Sequence, residues 1–225
     1  MSRDIGTRAI RKQSLHYDSY QASKSYVASV WENVSTYIRG RILDIGGNNG
    51  SLLDCGKKME EGWIVDITPE MLKTARDKGY KAMYSDMHHL PFPRGSFDTV
   101  LLINTLEHSP LPLKLLQEVK RVLIPSGHVI VDVPNPRSMR QIINLLVRGD
   151  PLPSGNSPLF LESPNHYFQY SSRILSDLLL SQDFTGVKVF GKGPVMAPFR
   201  QIYRLLPESI GRIIATDIIG VASKL

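Results

Sequence analysis

The chain has 225 residues, 42% hydrophobic and 21% charged, the balance of one globular domain with a substantial core rather than a disordered or fibrous chain. No apolar run approaches the roughly 18 residues that span a bilayer, and Met1–Ile5 lacks the apolar stretch of a secretory signal. Cys55 is the single cysteine and has no internal disulfide partner, so a reducing, cytoplasmic setting is expected.

The net charge of +6 sits in the flanks. Residues 41–119 carry nine Lys/Arg against eleven Asp/Glu, whereas residues 120–225 carry twelve against seven. Basic flanks suit an anionic substrate, a membrane surface or RNA, and they also serve plain solubility.

From residue 41 onward, short apolar runs alternate with stretches of helical spacing. Strands are expected at Arg41–Ile45, Trp63–Ile67, Lys81–Ser85, Asp98–Asn104 and His128–Val133. Between them, helices are expected at Ser51–Met59, Pro69–Lys78 and Leu113–Leu123. In the last of these, Leu115, Leu116, Val119, Val122 and Leu123 share one face, and Lys114, Glu118 and Lys120 point away. Thr68 is a natural N-cap, Pro69 fits the first helical position and Gly79 closes that helix. Strands alternating with helices imply right-handed crossovers and a mostly parallel sheet.

Beyond Pro134 the texture changes. Residues 134–165 hold six prolines around a short amphipathic stretch, Met139–Val147, and read as an insertion. A helix at Ser171–Ser181, a strand at Val187–Phe190, a helical stretch at Phe199–Ile214 broken at Pro207, and a strand at Asp217–Ala222 follow. Ser223-Lys224-Leu225 has the form of a peroxisomal address, but it directly continues that strand.

The first strand runs into Asp44-Ile45-Gly46-Gly47-Asn48-Asn49-Gly50. A glycine-rich strand-to-helix turn lets backbone approach a ligand at the carboxyl end of a parallel strand. Dinucleotide spacing fails, because the required later glycines fall on Asn48 and Ser51, or on Asn49 and Leu52. A P-loop fails as well, since no Gly-Lys-Ser/Thr follows. Asp44, Gly46 and Gly50 do match the D-x-G-x-G-x-G motif, and the chain resembles the class I S-adenosylmethionine-dependent methyltransferases. Asn48 replaces the middle glycine, and asparagine tolerates positive φ better than other side chains.

The resemblance extends over residues 41–135. It implies that Asp66 accepts the ribose hydroxyls, that Asp86 accepts from the adenine amine, and that the Met87 amide meets the ring. Arg121–Gly127 resembles the family's RVLKPGG turn, with Ser126 in place of its first glycine. The implied cofactor-binding residues are therefore Asp44, Gly46, Gly47, Asn48, Gly50, Asp66, Ile67, Asp86, Met87 and Asn104. Weaker likeness runs towards the ubiquinone/menaquinone-biosynthesis type and related small-molecule methyltransferases. In it, Tyr17 and Tyr26 resemble a helical lid, and His166-Tyr167-Phe168 resembles an H-x-x-F segment ahead of a late helix.

The fold so implied is α/β and Rossmann-like, a seven-stranded, mostly parallel sheet with the last strand antiparallel. One domain spans 1–225, with a lid over 1–40, a cofactor core over 41–135 and acceptor-pocket segments at 136–168 and 194–214. The implied activity is transfer of a methyl group from S-adenosylmethionine to a small-molecule acceptor. Methylation of RNA or protein, or a non-catalytic cofactor-binding role, are the other readings. No Asn-Pro-Pro-Tyr motif follows the fourth strand and no appended RNA-binding module is visible.

A sulfonium methyl is already activated, so such an enzyme needs no obligatory nucleophile. A base matters only for an acceptor that must lose a proton, and the candidates are His108, just past the fourth strand, and His166 or Tyr167 in the insertion, which also count as substrate or lid residues. His88 and His89 are adjacent, cannot share a helix face as ligands, and are expected in a solvent-facing loop. Glu107 and His108 alone supply two ligands, so no metal is expected.

Overall fold

A computed structural model describes residues 24–56, 61–138, 142, 146–147, 166–193, 203, 205–207, 210–211 and 215–225. Tyr17 and most of Met139–Val147 and Phe199–Ile214 lie outside them.

The first element is α1 (Lys24–Val34), whose Val27, Val30 and Val34 fall at helical spacing and are buried against one face of the sheet. The strands are β1 (Arg41–Ile45), β2 (Glu61–Asp66), β3 (Lys81–Tyr84), β4 (Phe97–Ile103), β5 (Leu123–Pro134), β6 (Phe184–Lys192) and β7 (Asp217–Lys224). Between them lie α2 (Pro69–Asp77), α3 (Pro112–Val122) and α4 (Ser172–Ser181). The sheet order is β3-β2-β1-β4-β5-β7-β6. Only β7 runs antiparallel to its neighbours, β5 and β6, as the resemblance implies.

Both sheet faces are covered, and the strands read accordingly as nearly continuous apolar runs. Leu43, Ile45, Val100 and Leu102 join one core, while Ile42 and Leu101 join the other. Helix α3 buries Leu115, Leu116, Val119 and Val122 completely. At about 1.5–3 kcal/mol per buried aliphatic side chain, that stripe contributes roughly 6–12 kcal/mol.

Glu118 departs from the expected outward orientation. It pairs with Arg121 at 2.7 Å and accepts the Leu90 amide at 2.8 Å, while Arg121 donates to the Leu90 and Phe92 carbonyls. The Glu118–Arg121 pair thus clamps the Leu90-Pro91-Phe92 loop onto α3.

Two other local expectations change. Over Ser51–Met59, the described residues form only a 3-10 turn at Leu53–Cys55, which ends where Gly56 turns extended. Thr68 stands at the N-cap of α2 with extended backbone and Pro69 follows it, but its side chain makes no cap bond. The hydroxyl serves Asp66 instead. At the other end of α2, Gly79 adopts φ +94°.

Candidate active site

The loop expected to hold the cofactor is built at the tip of β1. Gly46 has φ +72°, and a Cβ there would lie 2.6 Å from the Thr105 hydroxyl, which donates to the Ile45 carbonyl at 2.8 Å. At Gly47 a Cβ would meet the Asp44 carboxyl, also at 2.6 Å. Neither position has room for a side chain, so the loop presents bare backbone. Asn48 sits at φ +54°, the conformation its substitution for glycine demands.

Asp66, at the end of β2, organises this loop from the side. It accepts the Asn48 and Thr68 amides, each at 2.9 Å. Burial pushes its carboxyl up, and those amides pull it back down. Asp44 is 3% exposed, and burial together with the charge of Asp66 pushes its carboxyl to about 8. Ile67 follows Asp66 directly beyond the strand.

Asp86 follows β3 with its side chain 58% exposed. Burial favours its neutral form, but hydrogen bonds from the His88 amide (2.8 Å) and ring (2.7 Å) outweigh this and hold the carboxyl below its ordinary range. Met87 packs against the core. His88 is not the solvent-facing loop residue expected: its ring is buried between Asp86 and the Ser109 hydroxyl, 2.8 Å from the latter. It ties the Asp86 loop to the turn after β4. His89 is exposed, as expected.

Asn104 lies one residue past the tip of β4 at φ +49°, where its amide donates to the Asp132 carbonyl at 2.8 Å. Its side-chain amide donates to the Tyr26 hydroxyl at 2.6 Å, which in turn donates to Asp132 at 3.0 Å. Lys192, at the end of β6, is 0% exposed. It contacts Asp132 at 3.0 Å and Asp217 at 3.1 Å, and lies 3.7 Å over the Tyr26 ring. Because β7 is antiparallel, its first residue, Asp217, reaches the same sheet edge as the ends of β5 and β6. The Tyr26 phenol is held well above its ordinary range by burial first and by Asp132 and Asp217 next.

A second buried group adjoins this network. Glu107 is 1% exposed, and neither carboxylate oxygen has a hydrogen-bond partner among the described residues. The Tyr167 amide donates to the Glu107 carbonyl at 2.8 Å, which brings the 166–170 segment onto the turn after β4. The His108 and His166 rings meet edge to face, 4.6 Å between centroids. Glu107, His166 and Tyr170 line one small cavity with Val133, Pro134 and Asn135. Tyr167 is 49% exposed. A separate wide groove between α4 and β6, lined by Arg137, Arg173 and Lys188, lies away from the cofactor loop.

All the predicted cofactor residues that the structure describes therefore fall on the carboxyl side of β1, β2, β3 and β4. Sequence reasoning missed Asp132, Lys192 and Asp217. The signal for Asp132 was a charge inside the otherwise apolar run His128–Val133. Lys192 and Asp217 carry no such mark.

Comparison with known proteins bears on this geometry. Residues 43–131 match the family model described as a methyltransferase domain. A tRNA U34 carboxymethyltransferase of Nautilia profundicola is 27% identical over 67% of this chain and 49% of its own length. A ubiquinone/menaquinone biosynthesis C-methyltransferase of Ralstonia pickettii is 32% identical over 40% of this chain and 42% of its own. The chain thus spans less than half the length of these relatives. Among solved structures, a SAM-dependent methyltransferase from Archaeoglobus fulgidus superposes with TM-score 0.67 at 21% identity, covering 93% of this chain and 98% of that one. One from Mesorhizobium loti gives 0.60 at 17% identity, with 87% and 98% covered.

Proposed function

We propose that the chain is a class I S-adenosylmethionine-dependent methyltransferase and that it methylates a small-molecule acceptor by in-line displacement, a reading supported by the methyltransferase-domain match over residues 43–131 and by the relatives named above. The observation that carries the methyl-donor part of this reading is the row of Asp44, Asp66 and Asp86 at successive strand tips around a loop with no room for side chains at Gly46 and Gly47. When bound, S-adenosylmethionine supplies an activated methyl on sulfur, which an acceptor lone pair takes as the thioether leaves.

The protein's part is placement. The backbone of Gly46–Gly50 and the Asp44 carboxyl hold the aminoacyl end. Asp66 and Ile67 hold the ribose, using carboxylate lone pairs left over from the Asn48 and Thr68 amides. Asp86 and the Met87 amide hold the adenine. Asn104 borders the methyl group, kept in place by Tyr26, and α1 serves as the inner part of the lid. His108 receives the proton of an acceptor that must lose one, with His166 and Tyr167 on the same side. Residues 136–168 and 194–214 frame the acceptor.

A second reading, a tRNA nucleoside as acceptor, is favoured by the Nautilia relative. Labelled methyl transfer separates the two: the expected label enters a low-molecular-weight, deproteinised extract, whereas label in bulk tRNA favours the second. Calorimetry with S-adenosylmethionine and S-adenosylhomocysteine tests the common premise and the non-catalytic alternative. Binding without transfer to either pool supports the non-catalytic role, and no binding by either ligand overturns the whole reading.

A further inference from the structure

We propose that Glu107, His108 and His166 form a binding site for a divalent first-row transition metal ion. Each offers a ligand atom, and these atoms all lie within 4.8 Å of one another. Metal–nitrogen and metal–oxygen bonds are about 2.1 Å long, so the set closes around an ion with side-chain shifts of about 1 Å.

The three residues are brought together by the fold. Glu107 and His108 belong to the turn after β4, and His166 opens the segment before α4. The bond from the Tyr167 amide to the Glu107 carbonyl fixes one segment on the other. Sequence spacing shows only the adjacent Glu107-His108 pair, because the third ligand arrives from far downstream.

Glu107 supplies the independent observation. It is buried, and both its oxygens lack hydrogen-bond partners among the described residues, facing a small cavity that His166 also lines. An ionised carboxylate there needs a cation or a proton. Asp132 and Asp217 add negative potential around it, and Lys192 is already bound to both of those. A metal ion and a proton therefore compete for Glu107.

Two imidazoles and one carboxylate favour zinc, cobalt, nickel, iron or manganese over magnesium or calcium. Three ligands leave at least one coordination position for water or an acceptor oxygen. The site stands on its ligand set and not on the methyl-transfer reading. Where both hold, His108 acts as a ligand and not as a base, since a nitrogen bound to metal has no lone pair for a proton.

The test uses chelator-treated full-length protein titrated with Co²⁺, read by visible d–d absorption and calorimetry. One equivalent per chain is expected. Glu107→Gln and His166→Ala should each weaken binding at least tenfold, and His89→Ala, at an exposed ring, should leave it unchanged. His166→Gln and circular dichroism melts guard against a variant that merely fails to fold. Absence of saturable Co²⁺ binding, or equal binding by folded His166→Ala, overturns the proposal. Parallel calorimetry with S-adenosylhomocysteine keeps the readings apart, because lost cofactor binding with retained Co²⁺ binding sinks only the methyl-transfer reading.

Discussion

Asp44 and Asp132 are both buried carboxylates on neighbouring parts of one sheet, and the protein treats them differently. Among the described residues no cation offsets Asp44; burial and the charge of Asp66 push it to about 8. Asp132 is just as buried, but the Lys192 ammonium offsets much of the burial cost and its carboxyl rises only to about 6. The region around Asp44 is made from consecutive backbone, with Asp66 satisfied by amides two residues on and in the adjacent loop. The region around Asp132 is made from side chains of α1, β5, β6 and β7. A local motif specifies the first region, and topology assembles the second.

The contrast is tested most severely at Lys192. Lys192→Met leaves Asp132 and Asp217 facing each other without a cation, and should cost about 3–5 kcal/mol in urea unfolding. A loss below about 1 kcal/mol would show that the region around Asp132 does not depend on its buried cation.

Asp44 gives the next largest effect, through pH. An acid whose carboxyl is raised on folding contributes stability that is fully present below about pH 4 and is lost as pH rises through about 8. Asp44→Asn removes this dependence. Its stability relative to wild type should therefore improve between pH 5 and pH 9 by on the order of a few kcal/mol, read by melts without cofactor. A pH-independent difference would mean that Asp44 ionises as freely as an exposed acid.

Asp66→Ala should weaken S-adenosylhomocysteine binding by about 10–100-fold in calorimetry, the worth of one or two hydrogen bonds to a charged group. Unchanged affinity would displace the ribose from β2.

The smallest effect is expected at Ser126, which holds φ +61° in the turn leading into the paired part of β5. Ser126→Gly should stabilise by up to about 1 kcal/mol by removing a side chain from the left-handed region. Destabilisation in urea would mean that the hydroxyl or the stiffer backbone matters more than the strain.

How much of this was legible in the sequence follows the same division. The strand β1 has its expected limits, α3 has its expected buried face, and Asp66 and Asp86 sit at strand ends, because each rests on local periodicity or a nearby turn. Legibility fails where a residue's role depends on a distant partner. His88 reads as a loop histidine until Ser109 is brought beside it, and Glu118 reads as a solvent-facing acid until Leu90 is. The helix expected at Ser51–Met59 shows the opposite error. Its apolar spacing is helical, but Asn49 accepts from the Ser51 amide and Gly56 turns extended soon after, so the described part closes as a single tight turn. Lys192 had no signature, since a lysine at the end of a strand is ordinarily solvated.

The antiparallel run of β7 bears on handling the protein. The strand enters at Asp217, among the buried charges, and leaves at the far edge, where Lys224 donates to the Leu123 carbonyl and Leu225 is 77% exposed. A fluorophore or surface tether attached to the side chain at position 225 emerges on the side of the sheet away from the Gly46–Gly50 loop. Attachment there leaves that loop turned towards solution for ligand screening.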